Sequence, residues 1–151
     1  MYTPYGPNAA MRPEAGPGSP LALVLNILWL ICGGLVATLA WLVAALLMAI
    51  TIIGLPWCFA ALRIAQYTFL PFGQEIRHRP DAGVLSAVGN LVWVLLAGWW
   101  LALAHLIIAV ALAVTIIGLP FAWAHLKLAG ASLAPLGKEI VPRGTPPRYW
   151  V

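Results

Sequence analysis

The chain predicts an all-α integral membrane protein of two parallel tandem repeats, each a broken-helix hairpin followed by a short interfacial amphipathic helix. Three observations carry this expectation. Of the 151 residues, 63% are hydrophobic and 8% charged, whereas soluble domains carry about 45–50% and about 25%. Two stretches, Leu21–Leu62 and Ala82–Leu126, contain no Asp, Glu, Lys or Arg, and each is about twice the roughly 20 residues that one spanning helix needs. Finally, Thr51-Ile52-Ile53-Gly54-Leu55-Pro56 returns unchanged 64 residues later as Thr115-Ile116-Ile117-Gly118-Leu119-Pro120.

Taken in order, residues 1–20 hold five prolines, several glycines and almost no large aliphatics. Such a segment cannot offset its ordering entropy by burial and reads as a disordered, polyproline-leaning tail. It lacks the basic start and cleavage pattern of a secretory signal. Ser19-Pro20 then supplies a hydroxyl cap and a first-turn proline for the first helix, and Asp81 takes the corresponding role before Ala82. The first repeat spans 21–80, the second 81–143, and 144–151 is a polar tail. A gapless shift of 64 aligns Asn26–Arg79 with Asn90–Arg143, identical at 22 of 54 positions. Self-similarity of this kind marks two copies of one structural unit that pack on each other.

Charge sets the number of crossings. Basic residues fall in the first tail, around Arg63–Arg79, and around Lys127–Arg148. Two crossings per repeat put all three clusters on one side, which the positive-inside rule identifies as cytoplasmic, and make the copies parallel. Two placements of the outer turn compete. A turn near Trp41, with His105 as its counterpart, divides each apolar run into two spans of about 20 residues. Thr51, Gly54 and Pro56, with Thr115, Gly118 and Pro120, are then a structural helix break at depth. A turn at Gly54–Pro56 instead leaves Arg63 and Lys127 only two turns further on, where a cation costs about 2.5–3.5 kcal/mol on insertion scales. The midpoint turn is therefore the expectation.

Beyond Arg63 the apolar positions recur at helical spacing (Ile64, Ala65, Thr68, Phe69, Phe72), and Leu128, Ala129, Ser132, Leu133 and Leu136 repeat them. This pattern predicts an amphipathic helix along the cytoplasmic interface, ended by Pro71-Phe72-Gly73 or Pro135-Leu136-Gly137. Arg63, Lys127, Glu75 and Glu139 belong to that interface. The segments after it, Gln74–Asp81 and Lys138–Val151, read as polar connections.

Asn26-Ile27-Leu28-Trp29 with Gly33-Gly34, the Thr-Ile-Ile-Gly-Leu-Pro stretch and Pro71-Phe72-Gly73-Gln74-Glu75-Ile76 together resemble the YccF family of bacterial inner-membrane proteins. The second copy carries Asn90, Trp93, Gly98 and Pro135-Leu136-Gly137-Lys138-Glu139-Ile140, but has Ala97 in place of Gly33 and Leu136 in place of Phe72. The resemblance covers about Leu21–Arg143 and implies a tandem inner membrane component domain in the bacterial inner membrane. It implies no reaction.

The residues themselves offer little chemistry. None of the four carboxylates lies in an apolar run, and no metalloprotease, nucleophile-elbow, phosphate-loop or dinucleotide motif occurs. No catalytic, cofactor-binding or metal-ligating residue is therefore expected, and the chain is not read as an enzyme. Cys32 and Cys58 stand apart in apolar runs and serve as small apolar residues. His105 and His125 are the titratable groups inside the runs, and the first repeat has Trp41 and Ala61 in their places. Asn26 and Asn90 place an amide in the first span of each copy, where an unpaired polar group is expensive. Both are candidate inter-helix contacts, between repeats or between protomers.

The bilayer is the expected partner, homo-oligomers are compatible with paired amides, and nucleic acid is not expected because the basic residues are scattered. Two function classes follow: a structural or assembly component of the inner membrane, or a small oligomeric channel or transporter that uses the breaks at Thr51–Pro56 and Thr115–Pro120. Without a substrate-selective polar constellation, the first is favoured.

Overall fold

A computed structural model describes residues 16–146. The expected tails at residues 1–15 and 147–151 lie outside them. Each repeat opens on a long helix with a π-helical turn inside it: α1 (Pro20–Trp29), the turn Leu30–Gly34 and α2 (Leu35–Ile50) in the first; α4 (Val84–Trp93), the turn Val94–Gly98 and α5 (Trp99–Ala113) in the second. A sharp reversal leads to α3 (Leu55–Phe69) or α6 (Leu119–Leu133), which returns along α2 or α5. Each copy closes with a strand, β1 (Gln74–His78) or β2 (Lys138–Pro142).

Local chemistry explains the starts and stops. Ser19 caps α1, its hydroxyl accepting from the Ala22 amide at 3.2 Å, with Pro20 in the first turn. Asp81 does not cap α4, whose first helical residue is Val84 after Gly83; its carboxylate instead accepts from Arg79 Nε at 3.0 Å.

Each hairpin reverses at the Thr-Ile-Ile-Gly stretch, not at the midpoint. Helix α2 runs unbroken through Trp41, which is buried, and the same holds for His105 in α5. At residue 51 the backbone becomes extended, a single 3-10 turn (Ile52–Gly54) follows, and Pro56 sits in the first turn of α3, where its missing N–H costs nothing. Gly54 is buried against the end of α2, and a Cβ there would lie 2.6 Å from the Met48 carbonyl oxygen. Breaker chemistry therefore decides the turn, over the cost assigned to Arg63 and Lys127. That cost is moderated by position. Both cations are half-buried on the flank of their helix, and Lys127 Nζ stands 5.8 Å from the centre of the Trp123 ring.

Two further expectations change. The amphipathic stretch beyond Arg63 is not a separate helix; it is the second half of α3, and of α6 in the other copy. The segments read as polar connections form an antiparallel strand pair instead, with Ile76 opposite Ile140 at its centre. Because these two residues are related by the shift of 64, the pair sits on a pseudo-two-fold axis. The bonds flanking it obey the same symmetry: Arg79 N donates to Gly137 O and Arg143 N to Gly73 O, both at 2.8 Å.

Each hairpin thus begins and ends at the strand pole and turns at the opposite one. The kinked helix Pro20–Ile50 has 31 residues and Val84–Ala113 has 30, about 45 Å each at about 1.5 Å per residue, longer than the roughly 30 Å hydrocarbon core. Together with Ile52–Phe69 they are the helices long and apolar enough to cross a membrane among the described residues; α6, with 15 residues, falls short. Large aliphatics such as Ile31, Ile50, Leu95 and Val110 point outward along these helices. Such a surface suits lipid rather than water.

The tight seat of Gly54 yields a stability test. Gly54→Ala or Gly118→Ala forces a Cβ into the backbone of the preceding turn and is expected to destabilise the protein by about 1–3 kcal/mol. Denaturant titration in detergent measures it, and unaltered midpoints for both variants would refute this packing of the reversal.

Candidate functional site

The predicted amides act within their own repeat. Asn26 donates from Nδ2 to Phe72 O at 3.1 Å and accepts from Phe72 N at 3.0 Å. Asn90 does the same with Leu136, at 3.1 and 2.9 Å. Each amide side chain therefore stands in for a peptide group and pins the turn after α3 or α6 to the first helix. The expected reciprocal contact between repeats is replaced by this clamp, because the Pro-Phe-Gly and Pro-Leu-Gly turns leave backbone groups unpaired exactly one helix away.

Three residues on, an indole completes the clamp. Trp29 Nε1 donates to Thr68 O at 2.7 Å and Trp93 Nε1 to Ser132 O at 2.8 Å. These carbonyls belong to the last turns of α3 and α6, where intrahelical donors run out. Gly34 and Gly98 lie beneath the two indoles, where a Cβ would strike the ring. The signal available in the sequence for the indole bond was the retention of Asn, Trp and Gly at one spacing in both copies.

Aromatic contacts join the repeats, and some of them come in symmetric pairs, while Trp29–His125 and Phe72–Phe121 have no aromatic counterpart. Trp29 meets Phe121 with centroids 6.1 Å apart, and the 64-shifted pair Trp57 and Trp93 meets at 6.2 Å. Trp41 and His105, which are shift-equivalents, stack on each other at 6.5 Å with an interplanar angle of 4°, so the pseudo-two-fold axis passes between them. His105 and His125 are buried, with their Nδ1 atoms 3.0 Å apart. The shift predicts this neighbourhood, since Trp41 and Ala61 are a large and a small residue where the second copy has two of middle size.

Along this interface lies a cavity of about 540 Å³ walled by Trp29, Gly34, Trp41, Phe121, His105 and His125 among others, within the volume range of about 300–1,000 Å³ common to small-molecule sites. One flank is formed by the kink of the first long helix, where Gly33 adopts φ 128°. The corresponding Ala97 keeps a right-handed backbone, and α4 and α5 join without such a residue.

The remaining predicted residues lie apart from this cavity. Thr51 and Thr115 turn their hydroxyls onto Met48 O and Leu112 O at 2.9 and 3.0 Å, and the Gly54 and Gly118 amides donate the 3-10 bonds of the reversals to Thr51 O and Thr115 O. Glu75 pairs with Arg77 at the strand pole, and Glu139 stands opposite Arg77 in the strand register. Lys138 Nζ is 2.9 Å from His78 Nε2, and burial lowers its pKa from the ordinary lysine value. Among the described residues no group of three or more His, Cys, Asp or Glu side chains could hold a metal ion. Chemically, the interface offers a largely apolar chamber in which the buried histidine pair is the titratable group.

The Inner membrane component domain, YccF, matches the chain twice, at residues 24–74 and 88–138. The chain is also 36% identical over 127 residues to the Inner membrane protein YccF of Escherichia coli (strain K12) and to that of Shigella flexneri, covering 78% of this chain and 86% of each relative. No solved structure matches it.

Removing a clamp leaves a backbone N–H and C=O without partners. Asn26→Ala and Asn90→Ala are each expected to lose about 1–3 kcal/mol, and the double variant should equal their sum within about 0.5 kcal/mol because the clamps are separate. Unfolding of the three variants in detergent provides the cycle; strong coupling would mean that the amides meet each other instead.

Proposed function

Because the chain belongs to the YccF family of inner membrane component domains, we propose that it is a non-enzymatic structural or assembly component of the bacterial inner membrane. In this reading it crosses the bilayer several times with the strand pole and both termini on the cytoplasmic side. The observation that carries the reading is the position of the two breaks. Transporters use discontinuous helices at membrane depth to present backbone polar groups to a substrate path. Here Thr51–Gly54 and Thr115–Gly118 are reversals at the ends of hairpins, and their polar groups are closed by local bonds. The facing surfaces of the repeats are aromatic and apolar apart from the histidine pair. Such a body offers an ion no replacement for its hydration shell.

The basic residues support the orientation. Arg77, Arg79, Lys138 and Arg143 cluster at the strand pole, whereas the reversals carry exposed Ile52, Ile53, Ile116 and Ile117 and no charge. The bilayer is the immediate partner, through the outward aliphatic faces, and homo-oligomers would form through those same faces.

Two measurements test this function. Purified protein in liposomes is expected to give no ion or solute flux above empty vesicles at any oligomer size found; robust flux abolished by replacing Thr51 or Asn26 would establish the channel class instead. C-terminal reporter fusions should be active only in the cytoplasm, and periplasmic activity alone would reverse the orientation.

A further inference from the structure

The cavity between the repeats is asymmetric in a way that the duplication makes legible. Shifting its first-helix wall by 64 residues exchanges Cys32 for Leu96, Gly33 for Ala97, Val36 for Trp100, Ala37 for Leu101 and Ala44 for Ile108, each larger, and Trp41 for the smaller His105. The wall given by the first helix is therefore thinner than its counterpart at Cys32, Gly33 and Val36, beside the kink at Gly33. Its mouth is lateral: Cys32, Val36 and Ala40 are exposed along the flank of a helix long enough to span the membrane. The bilayer is therefore the phase from which a ligand enters.

The polar spot defines the head that such a ligand must carry. His105 and His125 are each more than nine-tenths buried, at 9% and 8% exposure, and both line the cavity. Their Nδ1 atoms at 3.0 Å share one proton, one ring donating and the other accepting. In such a neutral pair the ring that donates from Nδ1 has an accepting Nε2, and the ring that accepts at Nδ1 has a donating Nε2. Neither Nε2 has a hydrogen-bond partner among the described residues, and neither is among the fully enclosed unpaired atoms, which are Trp57 Nε1, Arg63 Nε and Gln74 Oε1. The pair thus offers one donor and one acceptor to the cavity. The walls hold no formal charge, and an ionised headgroup would lose its hydration without a counter-ion.

We infer that this cavity is a binding site for an uncharged membrane-soluble amphiphile whose hydroxyl head both donates to and accepts from the His105–His125 pair while its apolar chain runs out past Val36 to the lipid. Two sources carry that chemistry, the phenolic ring of a membrane quinol and a long-chain aliphatic alcohol. Trp29, Trp41 and Phe121 supply flat walls for the first and apolar surface for both.

The test uses full-length protein in lipid nanodiscs with labelled decyl-benzoquinol, hexadecanol and hexadecane, each measured against empty nanodiscs to remove simple partition into lipid. Saturable excess binding of about one molecule per chain is expected for one or both hydroxyl probes, and their order of affinity identifies the source. Val36→Trp and Ala44→Ile, which import the second copy's own residues, should weaken binding at least tenfold. His105→Leu should weaken the hydroxyl probes about tenfold while leaving hexadecane unchanged. Val36→Trp sits at an exposed position, so it decides the matter even if His105→Leu fails to fold. Partition into lipid alone for both hydroxyl probes, or binding that Val36→Trp leaves intact, would overturn the site. Either result leaves the liposome flux measurement to judge the structural reading separately.

Discussion

The fold depends on how the ends of two helices are satisfied where water is scarce. Helices α3 and α6 stop at Phe69 and Leu133, and a helix end leaves carbonyls without intrahelical donors. Buried in the protein as Thr68 and Ser132 are, each such group costs about 1–3 kcal/mol if nothing reaches it. The first helix of each repeat supplies the donors, an indole N–H to Thr68 or Ser132 and an amide that binds the following turn on both its faces. Thr68 and Ser132 meanwhile return their own hydroxyls to Ile64 O and Leu128 O at 2.7 Å. Once these bonds are in place, the hairpin is closed at one pole, and the reversal at Gly54 or Gly118 only has to join two helices already held side by side.

The consequences run through the rest of the molecule. A closed hairpin brings its terminal strand to the same pole as its first residue, so two hairpins in tandem can pair strands about a two-fold axis. That axis forces equivalent residues to meet, which is why Trp41 stacks on His105. Exact equivalence is impossible there, because two tryptophans, each backed by alanine, would fill the same space differently from a tryptophan and a histidine backed by a second histidine. The departure from symmetry, the histidine pair and the open cavity all occur at this one interface, while the clamps that hold each hairpin are nearly identical in both copies.

Much of this was legible in the sequence, and the failures have physical causes. Duplication, membrane solvent and the shared pole of the basic clusters follow from composition, the shift of 64 and charge. The outer turn was misplaced because a generic cost for Arg63 and Lys127 was weighed above the specific fit of Gly54, Pro56, Gly118 and Pro120, and because flank positions soften that cost. The strands were missed since Gln74–His78 and Lys138–Pro142 are short and polar, and their pairing lies 64 residues away. Asn26 and Asn90 were singled out correctly as polar groups in need of partners, but their partners are backbone atoms, which leave no mark in a sequence. Trp29 and Trp93 carry the same signal, being kept three residues after the amide in both copies, and their partners too are backbone carbonyls.

The capping of α3 and α6 by the indoles is tested most directly by Trp29→Phe and Trp93→Phe, which keep an aromatic ring near Gly34 and Gly98 but remove the N–H together with part of the ring volume. Both are therefore compared with a volume-only control, Phe121→Leu in the same core. Equilibrium unfolding in detergent should show each tryptophan substitution lowering stability by about 1–3 kcal/mol beyond the control, the cost of an orphaned buried carbonyl. A loss no greater than the control's would contradict the account.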